Sequence, residues 1–211
     1  DYNGTSYLIV DDATIAANFS GDIVTTRVTS MFELFLSRTS FNGNISHWDT
    51  SAVTNMSYMF YQAWAFNQDI SSWNTAAVTS MDWMFYQTYS FNQNIGNWNT
   101  SAVTIMWNMF NKATLFNQNI GSWNTAGVND MGYMFRDASA LNQNIGSWNT
   151  SAVTDMTGMF IGAAAFNQNI SNWCVQNNFN SEPTNFKTSA NNTWANDASK
   201  QPDWDGASCP P

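Results

Sequence analysis

The sequence of 211 residues contains few charged side chains and very few basic ones. Only 10% of the residues are charged, and 6 Lys and Arg stand against 15 Asp and Glu, which gives a formal net charge of −9. Nucleic acids and anionic membranes attract proteins through clusters of Lys and Arg. Because the basic residues here are scattered, the composition argues against both as partners.

Long apolar runs are also missing. No segment approaches the roughly 20 apolar residues that a transmembrane helix needs, so membrane insertion is not expected. The sequence begins at Asp1 with no basic or apolar leader. This leads to the expectation that any signal peptide has been removed.

Histidine is nearly absent, and this limits catalysis. His47 is the only histidine, at a position that other repeats fill with Ser or Asn. No Ser/His/Asp or Cys/His set is available, and no phosphate-binding loop or metal-ligand spacing occurs. The scattered Asp residues stand where other repeats have Asn, Ser or Gly, which is not the pattern of a glycosidase carboxylate pair. We therefore expect no enzymatic activity, no cofactor and no metal site.

Two cysteines, Cys174 and Cys209, flank a non-repetitive C-terminal segment. A disulfide between them would close this segment, stabilise it by a few kcal/mol and indicate an oxidising, extracellular location. Two free cytosolic thiols are the alternative.

The dominant feature that is present is a repeat of 25 residues. Three of its columns are Ile at 45, 70, 95, 120, 145 and 170, Trp at 48, 73, 98, 123, 148 and 173, and Val at 28, 53, 78, 103, 128 and 153. Such a fixed period indicates stacked units that bury their apolar faces against one another. We predict an N-terminal cap at 1–27, six repeats at 28–173, of which the last is partial, and a disulfide-closed C-terminal cap at 174–211.

The spacing inside each repeat predicts a short helix followed by a short strand. Val53, Met56, Phe60 and Ala63 have the offsets of a helical stripe, and the FNQNIxxW motif that follows is typical of an extended segment. In the N-terminal cap, a strand is predicted at 7–10 and a helix start at 11–17. The predicted fold class is an α/β repeat solenoid.

The segment VTNMSYMFYQAWAFNQDISSW at 53–73 and the related repeats resemble the BspA-like leucine-rich-repeat surface proteins, in their 25-residue mycoplasma-lipoprotein-type variant. The two ends match as well, with VDDATI at 10–15 and WCV at 173–175 leading through SEP at 181–183 to Trp204 and CP at 209–210. The resemblance implies a right-handed, leucine-rich-repeat-like coil and a secreted or cell-surface location. Relatives associated with adhesion to host matrix proteins suggest adhesion by analogy.

The invariant columns allow two interpretations. The Trp column is either a packed stack or an exposed platform for sugar rings. The Asn column that begins at Asn42 and the Thr column that begins at Thr50 form either internal hydrogen-bond ladders or an array that binds ice or sugars. Because these residues occur in unit after unit, the structural interpretation is favoured for all three columns.

Variable positions are better candidates for function. Two neighbouring repeats set six aromatic residues in a two-by-three grid, with a further Trp one column away, whereas other repeats fill these positions with small or polar residues. We predict a binding surface made of Tyr58, Tyr61, Trp64, Trp83, Tyr86, Tyr89 and Trp107.

These observations predict a secreted or cell-surface, non-enzymatic protein that adheres to a protein or glycan surface. One alternative is a structural subunit that self-assembles into filaments or a surface layer through the same aromatics. A second alternative is a carbohydrate-binding module that uses the Trp column.

Overall fold

Among the residues that the structure describes, regular secondary structure lies only toward the two ends of the chain. The structure is a computed structural model and describes residues 8–11, 23–175 and 179–204. Strand β1, Leu8–Asp11, pairs in parallel with β2, Ile23–Arg27, and near the other end lie helix α1, Asn192–Ala195, and a 3-10 helix, Ala198–Lys200. The strand predicted at 7–10 thus corresponds to β1, whereas most of the helix predicted at 11–17 lies outside the described residues.

The predicted fold class, a right-handed leucine-rich-repeat-like α/β solenoid of short helix plus short strand, was wrong. Residues 28–175 contain turns and isolated bridges, with no helix and no extended strand. In the unit 53–77, Met59 N–H bonds to Met56 O and Tyr61 N–H to Tyr58 O, each three residues back. Tyr58 and Gln62 both have φ of 57°. Because an α-helix of L-residues cannot continue through a left-handed residue, each turn closes separately.

The remaining N–H groups of these turns bond to the next unit. Met56, Tyr58, Phe60 and Gln62 donate to the carbonyls of residues 80, 82, 84 and 86 over 2.8–3.1 Å. Isolated parallel bridges continue the alignment from residue 30 through 55, 80, 105 and 130 to 155. The backbone is therefore satisfied alternately within a turn and between units.

The last unit forms the same bonds with the C-terminal segment. Gly158, Phe160 and Gly162 donate to the carbonyls of Thr184, Phe186 and Thr188 over 2.8–3.0 Å. Residues 185 and 189 repeat the positive φ of the earlier units, at 57° and 56°. Residues 183–190 thus follow the turn path of a unit without containing its sequence.

The core is a set of side-chain columns that run through the stack. Phe60 and Phe85 stack with centroids 5.5 Å apart, and the rings of Trp98 and Trp123 lie 6.4 Å apart with planes inclined by 2°. All six column indoles are only 2–4% exposed, and those from Trp73 onward donate Nε1–H to the Ile carbonyl 28 residues earlier. The packed interpretation of the Trp column is confirmed, and these indoles present no open face to a sugar ring.

The Thr and Asn columns both form hydrogen-bond ladders between units, as the structural interpretation predicted, but only the Thr column is buried, and the Asn column lies at or near the surface. Thr100 is buried and donates Oγ1–H to Asn124 O at 2.9 Å. The Oδ1 of Asn67 accepts from the N–H of Asn92 at 3.0 Å and from Nε2 of Gln93 at 2.9 Å. Since these polar groups are bonded to adjacent units, the ladders add hydrogen bonds between units to those of the backbone.

The left-handed positions lead to a test by substitution. Gln87 has φ of 55°, a region that costs an L-residue roughly 1–2 kcal/mol and costs glycine little. We expect Gln87→Gly to be more stable than Gln87→Ala by about 1 kcal/mol, the reverse of the usual order. Both variants lose the same side-chain bond from Gln62 Nε2, so urea denaturation of the pair measures the backbone effect alone.

The matched control is Ala126→Gly, at an exposed turn residue outside the positive-φ set. This variant should be less stable than the parent protein. Equal stability of the two Gln87 variants would contradict the left-handed conformation.

Candidate functional site

The seven predicted aromatic residues lie on the outside of three adjacent units, and we call them the aromatic surface. Tyr58 and Tyr61 are half-buried, whereas Met59 and Phe60, which lie between them in sequence, point into the core. The turn path places the sixth and ninth residues of this unit outward. The full set is Tyr58, Tyr61, Trp64, Trp83, Tyr86, Tyr89 and Trp107.

Five of these rings form one continuous contact network. Tyr61 stacks on Tyr86 with centroids 4.7 Å apart and planes inclined by 16°. Tyr58 stacks on Trp83 at 5.7 Å, and Trp83 meets Trp107 edge-to-face at 5.1 Å. Rings one period apart stack because consecutive units superpose with the same spacing. The network has the stacked and T-shaped geometries that aromatic pairs prefer.

Trp64 and Tyr89 form a separate, more exposed pair. Their centroids lie 6.1 Å apart, and they are 46% and 37% exposed. The structure therefore connects five of the seven predicted residues in one network and places Trp64 and Tyr89 in a separate pair on the same two units.

Sequence reasoning missed two apolar members of this side of the molecule. Phe32 is 48% exposed and contacts Tyr58 at 5.8 Å, and Leu36 is also exposed. Phe32 stands in the column of Trp107, and Leu36 stands in the column of Tyr61. Aligning the first repeat, 28–52, with the later repeats places both residues in these columns and would have identified them.

Tyr58 and Tyr61 of the network are neutral at physiological pH, because the pKa of each is raised. Burial raises the pKa of Tyr58, and the nearby negative charge of Asp82 raises it further. Burial also raises the pKa of Tyr61, with a smaller contribution from Tyr86. The hydroxyls therefore remain hydrogen-bond donors, and the network offers apolar faces with polar edges.

Acidic residues near this surface are held in structural hydrogen bonds. The Asp82 carboxylate accepts from the hydroxyls of Ser57 and Ser80. Over the described ranges, no group of three or more His, Cys, Asp and Glu could hold a metal ion.

Comparison with known families gives one match. A family described as "Mycoplasma protein of unknown function, DUF285" matches residues 9–110 and 92–198. The chain belongs to this family. The two matches overlap at 92–110 and together span the turn units and most of the C-terminal segment. No curated protein and no solved structure shows significant similarity to the chain.

Membership of DUF285 assigns no activity, so function must be argued from the surface itself. In the part of this DUF285 chain that the structure describes, no helix is long and apolar enough to cross a bilayer.

One carboxylate beside the aromatic surface is partly desolvated. Asp130 Oδ1 accepts from Gly132 N–H at 2.9 Å. Burial raises the pKa of Asp130 above 3.8, and Asp155 and Asp82 add to the rise, whereas the bond from Gly132 opposes it. Asn55, at the same position of another unit, accepts in the same way from Ser57 N–H at 2.8 Å. The position therefore does not require a charge, and in the unit 103–127 it is filled by Ile105.

We expect Asp130→Asn to raise the free energy of unfolding at pH 7. Because the folded-state pKa is the higher one, ionisation costs stability, and the parent protein loses stability as the pH rises from about 3.8 through the folded-state pKa. The advantage of the variant should vanish at a pH below 3.8. Urea denaturation at a series of pH values measures the difference in free energy of unfolding between the variant and the parent protein.

Asp69→Asn is the matched control, since Asn fills this position in other units. Hydrogen bonds from the Ser71 side chain and backbone lower the pKa of Asp69, so its loss should remove stability at neutral pH. If Asp130→Asn and Asp69→Asn changed the free energy of unfolding in the same direction, the opposite pKa shifts of Asp130 and Asp69 would be contradicted.

Proposed function

We propose that this protein is a non-enzymatic binding protein that adheres to a protein or glycan surface through its aromatic surface. The observation that carries the proposal is the contact network of Tyr58, Tyr61, Trp83, Tyr86 and Trp107 on the outside of the stack.

The fold does not require these aromatic residues. The last unit fills three of the same columns with Gly158, Ile161 and Ala164, yet its core residues Met159 and Phe160 remain fully buried. The rings therefore lie outside the core and keep apolar area in contact with water. A contiguous apolar area of this kind on a protein marks an interaction surface.

The network is also suited to binding because it is held in place before a partner arrives. Tyr61 contacts Tyr58 at 5.6 Å, Trp83 at 5.7 Å and Tyr86 at 4.7 Å. Side chains that are already ordered lose little conformational entropy on association. Tyr and Trp combine large contact area with a polar edge, which explains their enrichment in binding surfaces.

A secreted or cell-surface location completes the proposal. Its support is the resemblance of 53–73 to BspA-like surface proteins and the cysteine pair Cys174 and Cys209. Cys209 lies outside the described residues, and the disulfide stays a prediction.

Replacing two stacked rings tests the proposal. The Tyr61→Ala/Tyr86→Ala double variant should keep the fold, because the same column holds Asn111 and Ile161 in other units. We expect at least a tenfold loss of binding to immobilised fibronectin, collagen or mucin, whichever surfaces the parent protein binds. Surface plasmon resonance measures binding and circular dichroism verifies folding.

His47→Ala, an exposed change in another column, is the control and should bind like the parent. Unchanged binding by the folded double variant would refute the role of the aromatic surface. If the parent protein binds none of the three surfaces, that result would count against adhesion.

A structural subunit that self-assembles through the same side is the second candidate. Phe32, Leu36, Trp64 and Leu115 are exposed apolar residues, and association that covers their side chains would remove apolar area from water. Sedimentation equilibrium from micromolar to millimolar concentration separates the candidates. A monomer throughout this range excludes self-assembly, whereas concentration-dependent growth that Tyr61→Ala/Tyr86→Ala abolishes supports it.

A further inference from the structure

The fourth unit opens a pocket at the end of the aromatic surface. The units before it carry Tyr58 with Tyr61 and Trp83 with Tyr86, and unit 103–127 carries two asparagines in the same two columns. The recess left by the missing rings has a volume of about 490 Å³, within the range of small-molecule sites. It is lined by Trp83, Tyr86, Trp107, Asn108, Asn111, Lys112, Tyr133 and Arg136.

The polar lining of this pocket contains three buried atoms that make no hydrogen bond, and one of them, Arg136 Nε, has only an ion-pair partner. Asn108 and Asn111 are only 2% and 4% exposed, and Asn111 Nδ2 donates to Asn108 Oδ1. Asn111 Oδ1 and Trp83 Nε1 make no hydrogen bond within the described structure. A buried polar atom left unpaired costs roughly 1–3 kcal/mol. A ligand that offers both a donor and an acceptor would remove this cost, and a hydroxyl group does both.

The walls of the pocket are aromatic and firmly packed. Trp83 meets Tyr86 at 4.7 Å and Trp107 at 5.1 Å, both edge-to-face. On the opposite side, the Arg136 guanidinium carbon lies 5.8 Å from the centre of the Tyr133 ring. Flat rings with polar edges suit the apolar faces and hydroxyl groups of a sugar.

The pocket also concentrates positive charge in an acidic protein. Lys112 and Arg136 are two of the six basic residues in a chain of net charge −9. Arg136 Nε lies 3.5 Å from Asp137 Oδ2, which offsets part of its charge. Lys112 takes part in none of the salt bridges of the described residues. An anionic ligand group is therefore favoured at this end of the pocket.

From these features we infer that the pocket binds an acidic sugar unit, one that carries a carboxylate or a sulfate, within a longer glycan. The ring lies against the aromatic walls, hydroxyls satisfy Trp83 Nε1 and Asn111 Oδ1, and the acidic group pairs with Lys112 and Arg136. The inference rests on the proposed binding function and specifies its ligand class. An acidic peptide would supply the charge without the hydroxyl-bearing ring.

Isothermal titration calorimetry with four probes tests the ligand class. The probes are a tetrasaccharide of alternating glucuronate and N-acetylglucosamine, a sulfated heparin disaccharide, neutral tetra-N-acetylglucosamine, and tetraglutamate. We expect at least one acidic saccharide to bind at least tenfold more tightly than the neutral saccharide and the peptide. The saccharide that binds identifies whether a carboxylate or a sulfate is recognised.

Matched variants locate the site. Lys112→Gln places in this column the residue found at Gln62 and Gln87, and Arg136→Met keeps an unbranched stem. The double variant should lose at least tenfold in affinity for the acidic saccharide, and Trp83→Phe, which removes Nε1–H but retains an aromatic ring, should lose severalfold. Arg27→Gln, distant in the stack, should bind like the parent.

Three outcomes would overturn the inference: no acidic saccharide binds at millimolar concentration, tetraglutamate binds as tightly, or the Lys112→Gln/Arg136→Met protein binds unchanged. If the parent protein adheres to a surface but binds no saccharide, the inferred sugar ligand of the pocket is refuted and the proposed function is not. Saccharide binding without adhesion would refute surface adhesion alone.

Discussion

The alternation of backbone hydrogen bonds determines the rest of this structure. In the first five units, every second N–H from the Met56 position to the Gln62 position bonds to the following unit, and in the last unit Gly158, Phe160 and Gly162 do so. The N–H groups at the Met59 and Tyr61 positions close short turns within the unit. This path has a left-handed residue at two points per unit, and in the unit 53–77 it directs two neighbouring side chains, Met59 and Phe60, into the core between the half-buried Tyr58 and Tyr61. The columns, the stacked Phe and Trp rings, and the Thr and Asn ladders all follow from superposing such units.

The repeat, the buried columns and the polar ladders could be predicted because each depends on which residue recurs. The local conformation could not. Turns of three residues bring Val53, Met56, Phe60 and Ala63 to one side, and a helix would do the same, so apolar spacing does not separate the two structures. The distinguishing sign is φ at Tyr58 and Gln62, and neither residue type signals a left-handed conformation. Only the last unit carries the usual marker, with Gly158 and Gly162 in these columns.

Of the candidate site, the stacked rings could be predicted from the sequence, whereas the pocket could not. Tyr61 and Tyr86 stack because they share a column, and a sequence alignment of the units shows that directly. The pocket in unit 103–127 depends on the absence of rings, and the unpaired state of Asn111 Oδ1 is a property of three-dimensional packing. Two asparagines in place of aromatics read as ordinary surface variation until their burial is known.

The C-terminal segment gives the stack a direction. Phe186 N–H bonds to Pro183 O as Met59 N–H bonds to Met56 O. Pro183 therefore occupies the position from which the first five units donate to the following unit, through Met31, Met56, Met81, Met106 and Met131. Proline has no N–H to donate. A further unit added after this segment would find its first backbone bond missing, as in protected sheet edges that resist edge-to-edge association. Polymerisation by backbone pairing is therefore disfavoured at this end, and contacts between copies of the chain are directed to its sides.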